Sequence, residues 1–150
     1  MDDLIRLSVS IDSFAYGDGT QALGDIVIEV RKGEFVGIMG SNGSGKTTLL
    51  KVMDGLVKEY KGKVLLDGTD VRKLSPKQIY QKVGLVFQNP DEQLFAPTVF
   101  EDVAFGPQNM GFAQEEIVRR VKVALNAVDM DAFAKKSIHQ ITPSDVKKAS

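Results

Sequence analysis

At 150 residues the chain has the length of one domain, and its 43% hydrophobic and 26% charged residues give the profile of an ordinary soluble globular protein, not of a disordered or collagenous one. Its 19 Lys and Arg against 20 Asp and Glu leave a net charge of -1, so no electrostatic footprint calls for a polyanion, and nucleic acid is not expected among its partners. The absence of cysteine excludes disulfides and thiolate metal sites, while the acidic start Met1-Asp2-Asp3 and the lack of a long apolar run argue against a secretory leader or a membrane span, leaving the cytoplasm as the expected compartment.

In chain order, Ile5, Leu7, Val9 and Ile11 alternate with polar residues and predict a strand with one wet face. After the turn-rich stretch from Tyr16 to Thr20, a second strand is expected over Ile26 to Val30, antiparallel to the first and closed by the turn Arg31-Lys32-Gly33-Glu34. Phe35 to Met39 is apolar at nearly every position, the pattern of a central parallel strand covered on both faces. Leu49, Leu50, Val52, Met53 and Leu56 then recur at helical spacing from Lys46 to about Leu56. Val64-Leu65-Leu66 with Asp67-Gly68 predicts a hairpin, and Ser75-Pro76-Lys77-Gln78 a capped short helix. Val83 to Phe87 reads as a second buried strand. The last third is helical: Thr98 and Glu101 form a capping-box pattern, and Ile117, Val121, Ala124, Leu125 and Val128 make an apolar stripe, with Glu115 to Arg119 and Glu116 to Arg120 as i,i+4 pairs.

The chemistry is concentrated in Gly40-Ser41-Asn42-Gly43-Ser44-Gly45-Lys46-Thr47, which matches G-x-x-x-x-G-K-[ST]. The glycines let backbone N–H groups wrap phosphate oxygens at a helix N-terminus; Lys46 then reaches the β and γ phosphates, and the Thr47 hydroxyl ligates Mg²⁺. By chance the pattern arises in roughly one chain in two hundred of this length, and the strand before and helix after it make an accident rarer still. The lone His139 has no carboxylate and nucleophile around it in sequence and is not expected to be catalytic.

From about Ile5 to Gln140 the chain resembles the ATP-binding-cassette ATPases, and among them the ATP-binding subunits of energy-coupling-factor importers for cobalt, nickel or vitamins. The resemblance rests on Phe14-Ala15-Tyr16 with Asp18-Gly19-Thr20, on Lys32-Gly33-Glu34, on the glycine loop, on Gln88-Asn89-Pro90-Asp91-Glu92-Gln93, and on Phe100-Glu101-Asp102-Val103-Ala104-Phe105-Gly106-Pro107. It implies ATP and Mg²⁺ as cofactors, held by residues 40–47 with Thr48. It also implies Tyr16 as the aromatic that stacks on adenine, and Gln88 as the residue that reaches Mg²⁺ and the attacking water. The helical region after Gln88 would grip a coupling helix of a membrane-embedded transport subunit, and a second ATPase subunit, identical or not, would complete the pair. Such a chain sits peripherally on the inner face of the cell membrane. The fold implied is an α/β P-loop NTPase with an antiparallel β part over 1–34, a core part over 35–88 and a helical part over 89–150.

This sequence departs from the family after His139-Gln140, where Ile141-Thr142-Pro143-Ser144-Asp145 stands in place of the Leu-Ser-Gly-Gly-Gln signature. The Walker B strand, its catalytic Glu and the switch histidine do not occur in these 150 residues either, so a C-terminally truncated ATPase domain is expected, with hydrolysis by this chain alone not expected and no catalytic residue assigned. Two apolar strands do not make a sheet buried on both faces, which predicts exposed apolar surface beside the glycine loop. A non-hydrolysing nucleotide-binding module or a non-functional remnant are the alternatives. A small P-loop kinase is disfavoured, because two strands precede the loop and no arginine-rich lid follows.

Overall fold

The alternation that begins at Ile5 builds β1 (Ile5–Ala15) in the computed structural model, which describes residues 4–89 and 93–141. β1 is the middle of an antiparallel sheet, paired on one side with β2 (Gln21–Arg31) and on the other with β3 (Lys61–Leu66), beyond which lies the short β4 (Thr69–Asp70). Val9 stands opposite Ile28 in β2 and Val64 in β3. Val9 and Ile11 are 1% exposed, whereas Ser10 and Asp12 face outward. An irregularity in the β1–β3 pairing between Ile11 and Ser13 shifts the phase, so Phe14 instead of Ser13 turns into the core.

Against this face packs α1 (Lys46–Met53), contributing Leu49, Val52 and Met53 to a core completed by Leu23, Tyr60, Val64, Leu66 and Val71. Val52 and Val64 are fully buried, and burial of such a side chain stabilises by about 1.5 to 3 kcal/mol. Gly62 lets β3 approach β1: its φ is 118°, and a Cβ there would strike the Ser10 carbonyl. The β3–β4 turn is Asp67-Gly68, both at positive φ (49° and 77°), as a tight hairpin with right-handed twist requires. Asp67 is held by Arg6 at 2.9 Å and Lys82 at 2.6 Å. Arg72 binds Asp70 through two nitrogens, at 3.0 and 2.7 Å, and reaches the Gly62 carbonyl at 3.0 Å, which ties β4 back to the start of β3. The capping box at Ser75 and Gln78 opens α2 (Pro76–Tyr80) as the sequence predicts.

The chain forms two compact units, Met1–Leu85, which holds the sheet, and Val86–Ser150, whose described elements are helical. In the second unit Thr98 and Glu101 form the expected capping box at the head of α3 (Val99–Asn109), and α4 (Gln114–Asn126) follows. Val99, Ala104, Ile117, Val121, Leu125 and Ile138 are buried together. Among the described residues no helix is long and apolar enough to cross a membrane.

Several expectations are corrected. Phe35 to Met39 and Val83 to Phe87 are not strands: Phe35, Met39 and Val86 are 102%, 94% and 81% exposed. A doubly covered strand needs a ladder on each side, and among the described residues no strand pairs with either segment. The apolar surface expected beside the glycine loop is therefore present. α1 ends at Met53, so Leu56 lies past the helix and is 53% exposed, while Leu50, inside it, sits on the outward face at 40%. The α4 stripe is narrower than predicted, since Ala124 faces outward and Val128, 62% exposed, lies past the helix end. Arg119 does not pair with Glu115 but joins Arg120 on Glu116, each at 2.7 Å.

The two guanidinium partners hold the Glu116 carboxyl at about 2, below its ordinary 4.5. Its ion pairs therefore favour the folded state above pH 4.5 and lose that effect as pH falls towards 2. The melting temperature of the wild type should exceed that of Glu116→Gln near neutral pH by a margin that closes over that interval and shrinks with added salt. Thr98→Ala should cost about 1 kcal/mol in urea denaturation through loss of the helix cap.

Candidate functional site

The glycine loop meets α1 at Gly45, the N-cap residue, whose φ of 87° is left-handed. A Cβ on Gly45 would collide with the Ala22 carbonyl and crowd the Leu23 side chain, so the loop is seated directly on β2. Gly43 also has a positive φ, 79°, at the bend of the loop. No side chain caps α1 and no acidic residue stands in its first turn. The N–H groups of that turn have no acceptor inside the helix, and the helix dipole adds partial positive charge where they stand.

Lys46 braces the loop. Its Nζ donates to the carbonyls of Gly40 at 2.9 Å and Ser41 at 2.6 Å, with a longer contact to Ser44 Oγ at 3.4 Å. Ser44 N–H donates to the Ser41 carbonyl at 3.3 Å within the same bend. A fixed ammonium, free first-turn donors and no competing carboxylate together suit a polyphosphate anion. Ser41, Asn42 and Thr47 are exposed, which leaves the Thr47 hydroxyl available for a Mg²⁺ held mainly by phosphate oxygens. Among the described residues no group of three or more His, Asp or Glu is placed to hold a metal ion by itself.

Tyr16 follows β1 directly and stands at this site. Its hydroxyl is 2.6 Å from the Thr48 hydroxyl, and its ring meets Phe14 edge to face at 5.0 Å. The first unit thus brings together Tyr16, Thr48 and the glycine loop. Gln88 belongs to the second unit and is exposed in a bend. Nearby, Gln93 Oε1 accepts from the Phe87 N–H at 3.2 Å. Pro90, Asp91 and Glu92 of the motif, and Thr142 to Ser150 where the family signature is departed from, lie outside the described residues.

The second unit has a largely apolar groove of roughly 650 Å³, lined by Leu94, Val99, Val103, Met130, Ile138 and Ile141 together with Asp102 and His139. Asp102 was not singled out by residue chemistry in the sequence. Its carboxylate accepts the N–H groups of Phe95 and Ala96 at 3.3 and 3.2 Å, holding the preceding segment on α3, and its early place in a capped helix was the available signal.

A glycine loop seated on a strand, a helix N-terminus free of caps and acids, and a lysine closing the loop define a P-loop nucleotide-binding protein. Residues 23–146 match the ABC transporter family, and the chain belongs to it. It is 63% identical, over 97% of its length, to a putative ABC transporter ATP-binding protein of Geobacter sulfurreducens, of which it covers 52%. It is 47% identical, over 91% of its length, to the energy-coupling factor transporter ATP-binding protein EcfA of Methanocaldococcus jannaschii, covering 50% of that protein. The solved structure of cbiO1 from Clostridium perfringens, part of the ABC transporter complex cbiONQ, superposes with a TM-score of 0.76 at 34% identity, over 97% of this chain and 59% of that one. The fold is thus that of an ABC ATPase, and the chain spans about half the length of the curated relatives it matches.

Gly45→Ala should destabilise the first unit by about 1 to 2 kcal/mol from the left-handed backbone alone, with the Ala22 contact adding to it. Urea denaturation followed by tyrosine emission would read this, since all three tyrosines lie in that unit.

Proposed function

We propose that this chain is the nucleotide-holding part of an ATP-binding subunit of an energy-coupling-factor importer, binding MgATP to power uptake of a metal ion or a vitamin. The observation that carries the proposal is the uncapped start of α1 beneath a glycine loop whose own lysine supplies the fixed cation. In this reading the N–H groups of Gly43 to Thr48 take the phosphate oxygens. Lys46 exchanges its carbonyl partners for the β and γ phosphates, with Gly40, Ser41 and Asn42 shaping the loop around them. Thr47 and Gln88 serve Mg²⁺, which when bound offsets the charge of the phosphates. Tyr16 offers its ring to the adenine.

Turnover in this reading draws on signature and Walker B segments that these 150 residues do not contain, and on a second ATPase subunit. The similarity to EcfA and to cbiO1 supports a membrane-embedded transport partner, and the groove of the second unit has the apolar lining and size to receive a helix from it. The chain then lies peripherally on the inner face of the membrane, with its partner choosing the transported substrate.

A MgATP titration of the purified chain beside Lys46→Ala tests the proposal. Loss of charge-assisted phosphate contacts should cost roughly 1.5 to 3 kcal/mol, a tenfold or greater rise in Kd. Equal affinity of the two proteins, or no saturable binding by the wild type, would refute it.

A further inference from the structure

Tyr16 is restrained at three places. Its backbone is clamped by the turn that follows, with the Tyr16 N–H donating to the Thr20 carbonyl and the Gly19 N–H to the Tyr16 carbonyl, both at 2.9 Å. Its ring is met edge to face by Phe14 at an interplanar angle of 77°. Its hydroxyl lies 2.6 Å from that of Thr48, which is itself only 6% exposed. The ring nonetheless leaves Tyr16 45% exposed. An aromatic that only covered β1 would need no tie at its tip, and a threonine buried in the first turn of a helix would usually turn its hydroxyl to its own backbone. Here the two hydroxyls serve each other across 32 residues of sequence, and Thr48 directly follows Thr47 in the phosphate-binding turn.

We infer that Thr48 is a positioning residue for base recognition: through its hydroxyl it holds the Tyr16 ring at a set place relative to the phosphate loop, so that base and triphosphate are read together. This rests on the MgATP reading above, with Tyr16 beneath the base. The pair works as a spacer between two subsites, and its value is in the preorganisation of an exposed ring that would otherwise rotate about its side-chain bonds. The inference separates ring from hydroxyl, because Tyr16→Phe keeps the stacking surface and removes only the tie.

The test compares the wild type, Tyr16→Phe, Thr48→Val, Thr48→Ser and the double variant Tyr16→Phe/Thr48→Val, using two probes, MgATP and magnesium tripolyphosphate. Tyr16→Phe and Thr48→Val should each weaken MgATP binding by about three- to tenfold, the double variant by no more than either alone, and Thr48→Ser should restore it. Tripolyphosphate affinity should stay at the wild-type value in Tyr16→Phe, whose ring takes no part in holding the phosphates. The chain has three tyrosines and no tryptophan, so quenching of tyrosine emission by MgATP, absent with tripolyphosphate, should also diminish in Thr48→Val. Unchanged MgATP affinity in Tyr16→Phe, or additive losses in the double variant, would overturn the inference. So would weakened tripolyphosphate binding in Tyr16→Phe, which would assign the hydroxyl pair to the phosphates and not to the base. Failure of the MgATP reading itself is distinguishable, because the wild type would then bind neither probe.

Discussion

The start of α1 is pressed against β2 closely enough that Gly45 leaves no room for a side chain beside the Ala22 carbonyl. That contact sets where the glycine loop, Lys46 and Thr48 stand with respect to the sheet, and hence which part of β1 can reach them. The left-handed turn at Gly45 lets the chain enter the helix directly from the loop, so the first-turn N–H groups gather where no side chain competes for them. Lys46 then closes the loop on itself through two carbonyls, a use of its cation that holds the backbone in the shape an anion requires. Burial of Leu49, Val52 and Met53 on the face of β1 and β3 supplies the free energy that keeps this arrangement in place.

The segments on either side of this core follow a different balance. Phe35 to Met39 has the composition of a central strand, yet among the described residues it joins no ladder, and Phe35 and Met39 lie in solvent. Composition supplies the tendency, whereas a ladder supplies the hydrogen bonds and the cover on both faces. Val83 to Phe87 likewise joins no strand among the described residues, and Val86 lies in solvent. Phe35 and Met39, apolar and exposed, are the kind of surface that associates with other strands, and they make the first unit prone to aggregation.

The helical unit is organised by local rules that need little from elsewhere. Capping at Thr98 and Glu101, the Asp102 carboxylate on the preceding N–H groups, and the cation–π contact of Arg120 over Phe112 at 4.1 Å all lie within short stretches of chain. Its core uses one side of α4 through Ile117, Val121 and Leu125, spaced four apart, which is why a stripe with five members narrowed to three.

Features governed by neighbours in sequence were legible from the residues: the glycine loop and the helix it opens, the Asp67-Gly68 turn, and the capping boxes at Ser75 and Thr98. Each depends on backbone conformations and hydrogen bonds that span a few residues, and side-chain chemistry alone dictates them. The alternation from Leu7 to Ile11 likewise announced a half-buried strand. Tertiary structure decided the rest. Which apolar runs become strands depends on partners distant in sequence, so Ile26 to Val30 extended into the long β2 beside β1 while Phe35 to Met39 did not pair. The phase shift that turns Phe14 inward is set by the register of β3 against β1, not by the β1 sequence. The junction of Tyr16 with Thr48 likewise exists only because the end of β1 and the first turn of α1 meet in the folded unit, a juxtaposition that neither residue's local sequence encodes.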